Sequence, residues 1–272
     1  MQPIKFPGLG LVFSIDRVAF TVFGFTIYWY GIIIAFGFMS AILLAMRNCN
    51  KFGIKQSDII DLILFIIPIS VIGARLYFVI FSWQNYKNNL AEVFNIRNGG
   101  LAIYGGIITG IIVAFIYAKK RKIGVLKLFD FFIPYVALAQ SIGRWGNFFN
   151  QEAHGVETAL PWRMEIFDTV KMHRISVHPT FFYESLWNFG LFLFLIWFRK
   201  HKKLQGEVFT LYLGLYGFAR FFIEGLRTDS LYLGSFRISQ VLAGLLFTVC
   251  IVLFFVRRYK SKSISVKDSA CD

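Results

Sequence analysis

The sequence predicts an all-α polytopic membrane protein of about seven transmembrane helices, on three observations. Of its 272 residues 57% are apolar and 19% aromatic, with a mean hydropathy of +0.60, which is too apolar for a soluble domain. Apolar runs close to the roughly 20 residues that cross the hydrocarbon recur along the chain. Lys and Arg collect in short clusters between those runs and not in one patch, so the formal charge of +14 reads as a topology signal. No nucleic-acid partner is expected from such a distribution.

The runs predict spans near residues 25–46, 59–81, 101–118, 129–145, 181–198, 208–224 and 238–256. The fourth is the shortest and most polar. Basic clusters follow the first span (Arg47, Lys51, Lys55), the third (Lys119, Lys120, Arg121, Lys122, Lys127), the fifth (Arg199, Lys200, Lys202, Lys203) and the seventh (Arg257, Arg258, Lys260, Lys262, Lys267). These loops hold about twice the Lys and Arg of the opposite side, which places the N-terminus outside and the C-terminus in the cytoplasm. One integral membrane domain is expected over residues 1–260, followed by a flexible cytoplasmic tail over 261–272. The N-terminal stretch lacks the basic start and unbroken apolar core of a cleavable signal, so the first span is expected to direct insertion. The longest outer connection, about residues 148–179, is expected to form a small extracytoplasmic cap between helices four and five, of a fold the sequence does not specify.

Arg75, Arg144 and Arg220 fall inside spans. Each costs about 2.5–3.5 kcal/mol at the centre of a spanning helix, so each must pair or face a polar interior. Arg75, behind Gly73 and Ala74, reads equally well as a structural arginine. Tyr216, Arg220, Glu224 and Arg227 are spaced to share one helical face. That stripe is either an intrahelical salt bridge or an anion site, since two guanidinium forks, each matching a pair of phosphate oxygens, flank one carboxylate.

Gln140, Arg144 and Asn147 likewise share a side of the fourth span, and Asn150, Glu152 and His154 follow where the helix should give way. Glu152 reads as a base or as the residue that holds Arg144. In the third span Gly106 and Gly110 let a neighbouring helix approach closely. Tyr104, bracketed by Gly99, Gly100, Gly105 and Gly106, is either an interfacial aromatic or a site hydroxyl. The segment HPTFFYE brings His178, a loop hydrogen-bonding residue or a site group, and Glu184, whose place in an apolar run demands a partner. Cys49, Cys250 and Cys271 have no metal or CxxC spacing, and no cofactor or metal is expected.

Together these segments resemble the bacterial prolipoprotein diacylglyceryl transferase family. The likeness rests on WYG at Trp29–Gly31, GGLAIYGG at Gly99–Gly106, GRWGNFFNQEAHG at Gly143–Gly155, HPTFFYE at His178–Glu184 and YGFARFFIEGLR at Tyr216–Arg227. The long segment fits that family's signature Gly-Arg-x-Gly-Asn-Phe-x-Asn-x-Glu-x-x-Gly, which is far more specific than a lone glycine motif. The resemblance implies an enzyme of the bacterial cytoplasmic membrane that moves the diacylglyceryl group of phosphatidylglycerol onto the lipobox cysteine of a prolipoprotein signal peptide. A thioether and glycerol phosphate result. Carried over by position, it implies roles for Tyr30, Arg144, Asn147, Glu152, Gly155, Tyr216, Arg220, Glu224 and Arg227. It departs at Tyr104, where some members carry a histidine, so no histidine base is transferred. The group that takes the thiol proton stays open between Tyr104, His178, Glu152 and the arginine field.

A transporter or flippase for an anionic lipid or small anion would also need intramembrane arginines, and is the alternative. The sequence shows no repeated pair of broken helices to favour it. An intramembrane serine protease lacks its nucleophile motif.

Overall fold

A computed structural model describes residues 3–96, 99–168, 172–228, 232–233 and 236–268. Its long helices are α1 (Trp29–Asn48), α2 (Gln56–Phe81), α3 (Ile103–Lys120), α4 (Val125–Asn150), α5 (Thr180–Phe198), α6 (Glu207–Leu226) and α7 (Ile238–Asp268). Six of them, all but α6, are long and apolar enough to cross a membrane. Glu207, Arg220 and Glu224 lower the hydropathy of α6. Phe36, Leu64, Ile80 and Leu245 on the other helices are more than half exposed, as side chains that meet lipid must be.

The chain divides into two units, Ala45–Phe131 and the remainder. Within Ala45–Phe131, α2 and α3 pack backbone to backbone. A Cβ at Gly105 would lie 2.5 Å from the Gly73 carbonyl oxygen, one at Gly110 3.1 Å from the Ser70 hydroxyl, and one at Gly73 would overlap the Thr109 side chain, so the expected small-residue seam is real. Arg75, 6% exposed, donates to the backbone carbonyls of Glu92, Val93, Asn95, Gly99 and Gly100 at 2.6–3.0 Å. It is the structural arginine of the two readings, holding residues 92–95 and 99–100 against α2. At the other end Arg121 pairs with Asp61 and lies 3.7 Å from Asp58.

The other unit has two cores. Ile133 and Ala137 of α4, Leu191 and Leu195 of α5, Val208 and Leu211 of α6 and Phe254 of α7 form the first. The second lies beneath a four-stranded sheet of order β2-β1-β5-β6, built from β1 (Ile4–Phe6), β2 (Leu11–Phe13), β5 (Met164–Asp168) and β6 (His173–Val177). Met164, Ile166, Ile175 and Val177 are buried at alternate positions and join Ile4, Phe148 and Phe181. A hairpin of β3 (Val18–Val22) and β4 (Phe25–Tyr28) turns at Phe23 and Gly24, both at positive φ, and a short pair, β7 (Tyr232–Leu233) with β8 (Phe236–Arg237), leads into α7.

The fold is mostly helical, as expected, and the structure adds detail the sequence left open. Residues 164–168 and 173–177 of the connection expected as a cap form strands, and the N-terminal strand β1 completes their sheet through Lys5 opposite Glu165. The first helix begins at Trp29, because Phe25–Tyr28 pair as a strand behind the Gly24 turn. α7 continues to Asp268 through residues expected as tail, since no Pro or Gly interrupts them; 269–272 lie outside the described residues. α4 also outruns the expected 129–145 at both ends. Half of its most apolar 18-residue stretch is buried inside the protein against 11% for α1, so its polar residues point into protein.

Candidate active site

Glycines decide how closely α1 approaches α4. A Cβ at Gly146 would sit 2.8 Å from the ring of Tyr30, one at Gly143 3.1 Å from Ile34, and one at Gly37 3.1 Å from the Ala139 carbonyl oxygen. Tyr30 therefore lies against the bare backbone of Gly146, two residues beyond Arg144, within electrostatic range of both Arg144 and Glu152. Gln140, earlier on α4, accepts from the Tyr212 hydroxyl of α6 at 2.7 Å.

Glu184 of α5 is 4% exposed and gathers three guanidiniums. Arg144 of α4 reaches one carboxylate oxygen at 2.5 Å, and Arg220 of α6 the other at 2.6 Å, with Arg227 3.7 Å away. Arg220 also pairs with Glu224, one turn on, at 2.5 Å, and Arg227 lies 4.0 Å from the same carboxylate. Arg237, at the entry to α7, donates to the Glu224 carbonyl at 2.7 Å. Ionised carboxylates this deep cost several kcal/mol each unless paired, which is what the arginines supply.

The loop after α4 closes one side. Gln151 and Ala153 hold φ near 53° and 56°, a left-handed conformation that costs L-residues about 1 kcal/mol or more each. These turns bring the Glu152 carboxylate back onto Asn147 and Asn150, whose amides donate at 3.0 and 3.3 Å. Asn147 in turn accepts from Arg144 at 3.4 Å. Glu152 therefore reaches Arg144 through Asn147, and the direct ion pair of Arg144 is with Glu184. Gly155 donates to the His178 carbonyl at 3.0 Å and bridges to Arg227, and a Cβ there would lie 2.7 Å from that of His178. His178 meets the Tyr183 hydroxyl at 3.3 Å, itself bonded by Trp162 at 2.8 Å, and burial pulls its imidazole pKa below the usual value, favouring the neutral ring.

Among the described residues, four arginines (Arg144, Arg220, Arg227, Arg237) stand with three carboxylates (Glu152, Glu184, Glu224), a set with one more cation than anion. Such a site suits a phosphate monoanion. A sequence profile described as Prolipoprotein diacylglyceryl transferase matches residues 17–256, nearly the whole chain. The chain belongs to the prolipoprotein diacylglyceryl transferase family. Proteins named phosphatidylglycerol–prolipoprotein diacylglyceryl transferase are similar to it in Clostridioides difficile (50% identical, 84% of this chain and 90% of the relative) and in Finegoldia magna (46%, 92% and 98%). A Bacillus cereus protein of the same name is 44% identical over 92% of this chain and 95% of its own length.

With its apolar helices, this member of the family is a multi-pass membrane protein. Of the residues singled out in its sequence, Tyr30, Arg144, Asn147, Glu152, Gly155, Arg220, Glu224 and Arg227 stand together in one unit, with His178 behind Gly155. Tyr216 stacks on Tyr212 and lines a small cavity with Glu184 and Arg220. Tyr104 belongs to the other unit, on the first turn of α3, and is 47% exposed. Glu184 and Arg237 were not among the residues singled out for the site. Glu184 had a visible signal, a carboxylate in an apolar run, whereas Arg237 sits at a helix entry like any interfacial cation.

Proposed function

We propose that this protein transfers the diacylglyceryl group of phosphatidylglycerol to the lipobox cysteine thiol of prolipoproteins, in the bacterial cytoplasmic membrane. The convergence of Arg144, Arg220 and Arg227 on Glu184 inside apolar helices is the observation that carries this reading. The lipid phosphate replaces part of the carboxylate pairing and takes two arginine forks. As the thiol sulfur bonds to the glycerol carbon, the carbon–oxygen bond to phosphate breaks and charge grows on the departing glycerol phosphate. Arg144 and Arg220 bind that charge more strongly than the substrate's, which is the requirement for catalysis. The same positive field favours loss of the thiol proton. Asn147 holds Arg144 and Glu152 in register, and Tyr30 closes the α1 side. Tyr216, Gly155 and His178 complete the walls, while Glu224 and Arg227 fix the orientation of Arg220.

Tyr104 is proposed as an acid–base group on its hydroxyl and its glycine-bracketed place in the sequence, beside His178, Glu152 and the arginine field as the other groups open to take the thiol proton. Tyr104→Phe is expected to lower turnover about a hundredfold, the usual size of such a contribution, and unimpaired turnover removes Tyr104 from the mechanism. All seven helices span the membrane in this reading, α6 included, with the C-terminus inside. The transfer itself is tested with purified protein in detergent, phosphatidylglycerol and a lipobox peptide. Lipid-modified peptide and glycerol phosphate are expected in equal amounts; neither product from folded protein would contradict the assignment.

A further inference from the structure

Asn188 lies one turn beyond Glu184 on α5 and is 2% exposed. Its side-chain oxygen is buried and receives no hydrogen bond from any described residue. A buried amide oxygen left unpaired is costly, and in a helix that crosses lipid no bulk water can relieve it. Asn188 lines a small cavity between α5 and α6 with Glu184, Trp187, Tyr216 and Arg220, which has room for about one water-sized group. Of the polar neighbours, Glu184 and Arg220 pair with each other, the Trp187 indole donates to the Leu215 carbonyl at 3.1 Å, and the Tyr216 hydroxyl does not donate to Asn188. The cavity thus presents one unmet acceptor beside the arginine that the transfer reading assigns to the lipid phosphate.

We propose that Asn188 accepts a hydrogen bond from a hydroxyl of the lipid headgroup and is a specificity-determining residue for a polyol phosphate ester. The inference rests on the transfer reading above. With the phosphate on Arg220, a hydroxyl of the esterified glycerol lies only a few bonds away, and it is one oxygen in size and a donor. A site built to meet a substrate hydroxyl discriminates against an analogue lacking it, because the protein's acceptor is then stranded.

The test compares phosphatidylglycerol with phosphatidylpropanol, which has the same charge and chains but no headgroup hydroxyl. Each is presented in mixed micelles to the full-length protein with a lipobox peptide. Wild-type kcat/KM is expected to favour phosphatidylglycerol by about three- to tenfold, the size of one hydrogen bond. Asn188→Leu should lower kcat/KM for phosphatidylglycerol by that factor and leave phosphatidylpropanol unchanged, so the preference vanishes. The ratio within one preparation cancels any loss of folded protein, and Asn188→Ala gives the same reading if the leucine variant is not recovered. Equal loss on both lipids, a preference that survives the substitution, or a wild type without preference overturns the role of Asn188 and leaves the transfer reading standing. No product from either lipid with folded wild-type protein removes the transfer reading itself, and this proposal with it.

Discussion

Glu184 puts a negative charge into a helix of otherwise apolar residues, and three arginines from two other elements answer it. Removing one member of a buried ionic set leaves the others uncompensated, which costs about 3–5 kcal/mol where it has been measured. Glu184→Gln keeps the shape and deletes the charge, so unfolding in detergent should shift by about 3 kcal/mol, read as a fall in the denaturation midpoint. An unshifted midpoint would mean that the carboxylate is not what neutralises the arginines. The need of Glu184 for a partner was legible in the sequence; the partners were not, because they come from helices 40 residues to either side. Arg75 makes the converse point. Its sequence context left a structural and a site reading equally open, and five loop carbonyls satisfy it. Only its packing separates a structural cation from a site cation.

At the scale of elements, close helix approach is what lets the polar side chains meet. Gly146 is the position to test, since its absent side chain is where the Tyr30 ring rests. Gly146→Ala should push α1 from α4, destabilise by about 1–3 kcal/mol as over-packing does, and lower turnover by displacing Tyr30. Wild-type stability and turnover in that variant would show that the α1 to α4 contact is not limiting. Helix positions were largely readable from hydropathy, and the ends of α5 and α7 facing the outer loops were found within a residue or so. The outer sheet was not. Strand β1 is three residues long and pairs with a strand about 160 positions later, so no local periodicity announces it. α4 was read too short because its polar residues face protein, where a hydropathy scale for lipid does not apply.

At the scale of the molecule, the distribution of Lys and Arg supports the proposed orientation, in which the basic loops lie inside. A fluorescent reporter that matures only in the cytoplasm, fused after α7, should glow, and one fused before β1 should stay dark; the reverse pattern would invert the topology. The proposed orientation would put the arginine cluster and the β2-β1-β5-β6 sheet on the extracytoplasmic side. The central claim, that the arginine cluster binds the lipid phosphate in the transition state, is tested most directly by kcat/KM for phosphatidylglycerol in Arg220→Ala beside Arg75→Ala. Loss of a group that meets growing charge costs about a hundredfold or more. Arg220→Ala should fall by at least that much, while Arg75→Ala, corrected for its folded fraction, should keep turnover within about threefold. Wild-type kcat/KM in Arg220→Ala would contradict the account.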